Sequence, residues 1–218
     1  MKPILGILIF GLICISSHAQ QDESEASHYL FPEFNRGVIL MKDGTRNDAL
    51  LNYNALTEEM IFDNNGQKRA IGNNELLRID TVYINNRKFV ALNSKFVELV
   101  YHSVWDLFIE HKCKVIETGK PAGYGGTSQT AAATSVSSLY SQGRVVYNLK
   151  LPDEFEAQPY SIYLLKKNGA LHTFNNMREL KRFYNSKKGA YKKYLKANRV
   201  KFEDQESMIH FIEYLESQ

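Results

Sequence analysis

The stretch "WDLFIEHKCKVI", residues 105–116, decides how this chain folds. Leu107, Ile109, His111, Cys113 and Val115 occupy alternate positions, with Phe108, Glu110, Lys112 and Lys114 between them. A strand turns successive side chains to opposite faces, so a period of two predicts an antiparallel strand with one packed face and one wet face.

The same alternation recurs on both sides of this stretch, broken each time by turn residues. Segments 36–42 and 45–53 flank Asp43-Gly44, a pair that tolerates the positive φ of a two-residue hairpin turn. Segments 60–63 and 67–71 flank "NNG" at 64–66, and 77–84 and 88–92 flank "NNR" at 85–87. Segment 96–100 pairs with 105–116 itself. Further on, 145–151 alternates with Val145, Tyr147, Leu149 and Leu151 on one side, and 160–166 and 170–174 flank "KNG" at 167–169. The period then lengthens. Asn176 can cap a helix with Glu179 reaching back, and Met177, Leu180, Phe183 and Tyr184 share the apolar face of that helix. A second helix over 189–199 gathers Tyr191, Tyr194 and Leu195. A third over 204–216 carries the stripe Met208, Ile209, Phe211, Ile212 and Leu215. The expected fold is α+β: an antiparallel, partly curled or barrel-like β-sheet body over 29–174, with a C-terminal helical appendage over 175–218.

The first residues read "MKPILGILIFGLICISSHAQQDES". Lys2 precedes an apolar run, 3–15, too short to span a bilayer, and Ser17 and Ala19 are the small side chains that signal peptidase reads. A signal peptide over 1–19 is expected, cleaved between Ala19 and Gln20. The mature chain would be soluble, exported, and periplasmic or associated with the outer envelope. Bulky Ile13 before Cys14 argues against lipid attachment. Residues 20–28 are polar and acidic and read as a disordered lead-in. The remaining chain is long enough for one sizeable domain or two small ones. Cys113 is its only cysteine, which excludes an intramolecular disulfide and leaves buried apolar area to stabilise the fold. No second long apolar run follows, so no transmembrane segment is expected in the mature chain.

"YLFPEFNRG", "LLNYNALTEEMIF", "INNRKFVAL", "GKPAGYGGTSQT" and "VVYNLKLP", with the tail "RELKRFYNSKKGAYKKYLKANRVKFEDQESMIHFIEYL", resemble a family of short, secreted bacterial envelope proteins. The resemblance runs over nearly all of the mature chain. It implies export and a β-plus-helix build, and brings no activity, cofactor or catalytic residue.

The formal net charge of +3 hides a split. Residues 20–165 carry 14 basic and 18 acidic side chains, 166–201 carry 12 basic and one acidic, and 202–218 carry five acidic and none basic. The basic tract presents Lys181, Arg182, Lys187, Lys188, Lys192, Lys193 and Lys196 as a candidate binding face, interleaved with Phe183, Tyr184, Tyr191 and Tyr194. Such a face can hold anionic lipid headgroups or acidic glycan. Aromatic residues at helical spacing read more simply as core, and the lysines then as a solvated face that the acidic last helix partly neutralises.

A Gly-rich loop over 117–143 is the other candidate contact region. Gly126 is followed by Thr127-Ser128, not by Lys and then Ser or Thr, so it is no Walker loop. Gly123, Gly125 and Gly126 could free backbone N–H groups for an anion, helped by Lys120 and Tyr124. The candidate loop set is Gly119, Lys120, Tyr124, Gly125, Gly126, Thr127 and Ser128; a plain surface loop is the simpler reading. Residues 131–141 have the composition of a short helix.

Catalytic signatures are sparse. His28, His102, His111, His172 and His210 show no metal-ligand spacing, and neither metal nor cofactor is expected. His111 and Cys113 share a strand face about 7 Å apart, which would suit a Cys–His couple. A buried thiol beside a satisfied core histidine is the commoner arrangement. Glu58-Glu59, Asp153-Glu154 and Glu203-Asp204 are sequence neighbours, and neighbours in a strand point apart, unlike acids that face each other across a cleft. The expected function is a non-catalytic exported envelope module, binding or structural, that engages a protein partner or surface glycan. Export argues against nucleic acid. The alternatives are a secreted hydrolase with dispersed carboxylates and a peripheral membrane protein held by the basic helices.

Overall fold

Turn residues that accept positive φ set the order of the strands. The computed structural model describes residues 28–117, 121–122, 126–127 and 155–218. Strands β1 (Asn35–Met41), β2 (Arg46–Asn54), β3 (Glu59–Asn64) and β4 (Gln67–Ala70) precede a single turn of helix, α1 (Asn73–Leu76). Then come β5 (Ile79–Ile84), β6 (Arg87–Leu92), β7 (Lys95–His102) and β8 (Asp106–Glu117). The hairpins expected at "NNG", "NNR" and "KNG" are present, each one residue tighter than its three-residue gap, with Asn65-Gly66, Asn85-Asn86 and Asn168-Gly169 at positive φ. Asn93-Ser94 closes a further one between β6 and β7. The turn at Asp43-Gly44 differs from expectation. Met41 N donates to Thr45 O (2.8 Å) and Gly44 N to Met41 O (2.9 Å), so the loop has three residues, of which only Gly44 has positive φ. The Asp43 carboxylate instead accepts from Thr45 N at 2.9 Å.

Among the described residues ten strands form one antiparallel sheet in the order β12-β11-β8-β7-β6-β5-β1-β2-β3-β4, where β11 is Phe155–Lys167 and β12 is Ala170–Phe174. The sheet does not close among the described residues, since β12 and β4 are its edges, but it curls strongly. Tyr53 on β2 stacks on Phe89 of β6, with centroids 6.0 Å apart, and lies edge-on to His111 of β8 at 6.3 Å. Its hydroxyl donates to Phe96 O on β7. Glu58, in the β2–β3 turn, reaches Lys95 of β7 and Lys112 of β8. The expected curl is present, and the barrel alternative gives way to an open sheet.

Before β1, residues 28–34 run along the end of β2. Tyr29 bridges to Asn54, and the buried Asn52 side chain fills the irregular stretch between. Asn52 Oδ1 accepts from Phe31 N, and its Nδ2 donates to Phe31 O and Glu33 O. Ordered structure thus includes His28, the last residue of the expected lead-in, whose carbonyl accepts from Ala55 N. The expected signal peptide and the rest of the lead-in lie outside the described residues, as do the expected strand over 145–151 and helix over 131–141.

The concave face of the sheet serves two cores. Leu51, Tyr53, Met60, Val82, Ile84, Phe89, Phe96, Cys113 and Val115 fill the inside of the curl. Leu107, Ile109, Tyr163, Leu165 and Phe174 instead meet the helices α2 (Met177–Phe183), α3 (Lys188–Ala197) and α4 (Gln205–Glu216). A turn of 3-10 helix, Tyr184–Lys187, joins α2 to α3. Asn176 caps α2 by accepting from Arg178 N and Glu179 N, and the Glu179 carboxylate in turn accepts from Asn175 N and Asn176 Nδ2. Leu180, Tyr184, Tyr191, Met208, Phe211, Ile212 and Leu215 are buried, as their spacing requires. The convex face is less wet than the alternation suggests, because Val97, Phe108 and Leu164 pack there into a third apolar cluster.

Candidate functional site

Of the Gly-rich candidates, Gly126 and Thr127 form β10 and pair with β9 (Pro121–Ala122) in a two-stranded ladder. Gly119, Lys120, Tyr124, Gly125 and Ser128 lie outside the described residues.

His111 and Cys113 do share one face, yet they belong to different surroundings. Burial pushes the Cys113 thiol up to about 11, which disfavours the nucleophilic thiolate. His111 is tied into a buried cluster with Arg87 of β6 and Glu98 of β7. Arg87 donates to Glu98 through Nε (2.6 Å) and Nη2 (2.5 Å), a bidentate pair, and its guanidinium lies over the Phe31 and Phe89 rings. His111 Nε2 is 2.7 Å from Glu98 Oε2 and 3.0 Å from Arg87 Nη2. The shorter contact is to a carboxylate, which can only accept, so Nε2 carries the hydrogen and donates to Glu98. Burial alone would raise the Glu98 carboxyl. The hydrogen bonds from Arg87 and His111 and the Arg87 charge more than offset it and hold the group at about 2. Burial, seconded by Arg87, lowers the His111 imidazole against the pull of Glu98. The consistent state is an ionised Glu98 between Arg87 and a neutral His111.

Other partly buried carboxylates are also engaged. Glu58 has φ +58° and sits between Lys95 and Lys112, the latter at 2.6 Å, with Glu110 nearby. Burial raises the Glu58 carboxyl, but the two lysines bring it below its ordinary value. Glu216, nearly buried, accepts from Lys167 and from the Tyr184 hydroxyl (2.9 Å), which pins α4 to β11 and to the turn after α2. Among the described residues no set of His, Cys, Asp or Glu gathers as metal ligands.

The basic tract divides. Phe183, Tyr184, Tyr191 and Tyr194 belong to the helical core. Lys187 donates to Leu215 O at 2.6 Å, caps the end of α4 and leans on the Tyr184 ring. Arg182, Lys188 and Lys193 are exposed. Lys181, Lys192 and Lys196 come together, with Arg178, around a groove of about 560 Å³ between α2 and α3. Arg178 and Lys181 are three residues apart and Lys192 and Lys196 four, so each pair shares one side of its helix. Arg178 escaped the sequence reading, although its spacing to Lys181 carried the signal. Met177, Tyr191 and Leu195 floor the groove. The Tyr191 hydroxyl donates to Met177 O (3.3 Å) and its ring packs 5.0 Å from Phe211, which makes the floor part of the core. The acidic α4 does not neutralise this site by pairing: Glu216 takes Lys167, while Glu206 and Glu213 face His210.

Comparison with protein-family models, with curated proteins and with solved structures found no match to this chain.

Proposed function

We propose that this chain is an exported, non-catalytic envelope module that engages an acidic partner through the groove between α2 and α3. One observation carries the reading: Arg178, Lys181, Lys192 and Lys196 converge on a concavity while the ion pairs of the described residues lie elsewhere. Four like charges repel one another, and an anion placed among them relieves that cost. The signal-peptide pattern of residues 1–19 supports export. The buried carboxylates are committed to ion pairs and His111 to a hydrogen bond with Glu98, contacts that hold the fold, which supports a binding role over a hydrolytic one. The test uses the purified chain without residues 1–19. It should bind immobilised polyanions, weaken steeply with added salt, and turn over no member of a panel of glycans, peptides and esters. Turnover of any panel member refutes the proposal.

A second reading is favoured by Arg182, Lys188 and Lys193, which extend the positive surface beyond the groove. It has the helices resting on an anionic bilayer. Salt-sensitive binding to phosphatidylglycerol vesicles, lost in the Lys192→Glu, Lys193→Glu variant, would favour it.

A further inference from the structure

The charges of this groove stand on its rim, and the floor is carbon and sulfur. Arg178, Lys181, Lys192 and Lys196 are exposed, Met177 and Leu195 are half-buried, and Tyr191 is buried. The Tyr191 hydroxyl is spent on Met177 O. A small inorganic anion would meet the charges of the rim and make no use of the apolar floor. A sugar polyanion can lay a ring's C–H face on this floor but carries no apolar side chain to fill it. A flat bilayer would meet the lysine tips and leave the recess empty. A peptide with carboxylates on either side of apolar side chains matches floor and rim together, in the manner of a helix laid into a groove.

We infer that the groove is a docking site for an acidic amphipathic segment of a partner protein. Its apolar side chains sit on Met177, Tyr191 and Leu195, and its carboxylates pair with Arg178, Lys181, Lys192 and Lys196. The inference rests on the proposed engagement of an acidic partner and narrows it to one class. Methionine in the floor suits such a role, because its unbranched side chain adapts to different partners.

The probes are a dye-labelled synthetic peptide with leucines at helical spacing among glutamates, a glutamate-only peptide of equal charge, polygalacturonate, and phosphatidylcholine vesicles containing phosphatidylglycerol. The leucine–glutamate peptide should bind about tenfold or more tighter than the glutamate-only one, the increment expected from seating one apolar side chain. Lys181→Glu with Lys192→Glu should abolish binding of both peptides. Leu195→Gln should remove the preference between them and leave the weaker affinity in place. Urea midpoints read from Trp105 fluorescence and unchanged by these substitutions would separate loss of binding from loss of fold. Equal binding of the two peptides, or binding to polygalacturonate alone, overturns the docking inference and leaves the broader proposal standing; binding to vesicles alone overturns both in favour of the bilayer reading. Binding to none of the four probes overturns both.

Discussion

Replacing Glu98 by glutamine keeps the shape of the Arg87–Glu98–His111 cluster and removes its negative charge. The carboxylate accepts from Arg87 at 2.6 and 2.5 Å and from His111 at 2.7 Å, with only 8% of its side chain exposed. Held at about 2 rather than 4.5, it contributes about 3 kcal/mol at neutral pH. Glutamine offers one acceptor oxygen and turns an amide N–H₂ toward a donor, so one buried partner also loses its bond. Glu98→Gln should therefore lower stability at pH 7 by about 3 kcal/mol. The folded-state value lies below the unfolded one, so the contribution is complete above about pH 4.5 and fades as pH falls toward 2. The gap between the native protein and the variant should accordingly narrow between neutral pH and about pH 3. Urea unfolding followed by the fluorescence of the single tryptophan, Trp105, which is buried and stacked on Tyr101, measures both. His111, held by burial below its ordinary 6.5, adds a slope of its own, so the comparison is repeated with His111→Leu in both proteins. A loss under about 1 kcal/mol at pH 7, or a gap that does not change with pH, would refute the assignment of an ionised Glu98.

Gly37→Ala would set a Cβ 2.5 Å from Tyr83 O and 2.8 Å from Leu51 Cδ1, and since the first is backbone of the paired β5, a loss of roughly 1–3 kcal/mol is expected in the same melts. Asn52→Ala strips the hydrogen bonds from Phe31 and Glu33 and should cost about 1–3 kcal/mol. Hydrogen exchange should speed up first in residues 28–34 of that variant, and exchange that rises evenly across the sheet would contradict this account. Cys113, buried and with its thiol pushed to about 11, should resist an aromatic disulfide reagent in the folded chain and react promptly in urea. Prompt reaction of the folded chain would show the strand β8 to be open there.

Local chemistry alone determined much of this protein. Asparagine and glycine at the hairpin tips accept positive φ whatever surrounds them, Asn176 caps the residues that follow it, and alternation or helical spacing sorts apolar from polar within a few residues. Those signals placed most of the strands and all three long C-terminal helices. Loop length is less legible: at Asp43-Gly44 the loop is a residue longer than expected and at "NNG", "NNR" and "KNG" a residue shorter, because loops of either length share these residues. The tertiary structure decided what no window of neighbours contains. Leu107, Ile109, His111, Cys113 and Val115 look equivalent along β8, yet the first two face the helices and the last two face the inside of the curl. His111 falls between the two cores, where Glu98 and Arg87, 13 and 24 residues away, meet it. The groove arises in the same way, since Arg178 and Lys181 meet Lys192 and Lys196 where α2 and α3 are held together, in part by the Tyr191 hydroxyl on Met177 O. Backbone conformation is chosen by adjacent residues, whereas the curl of a sheet and the meeting of distant charges are chosen by how whole surfaces pack.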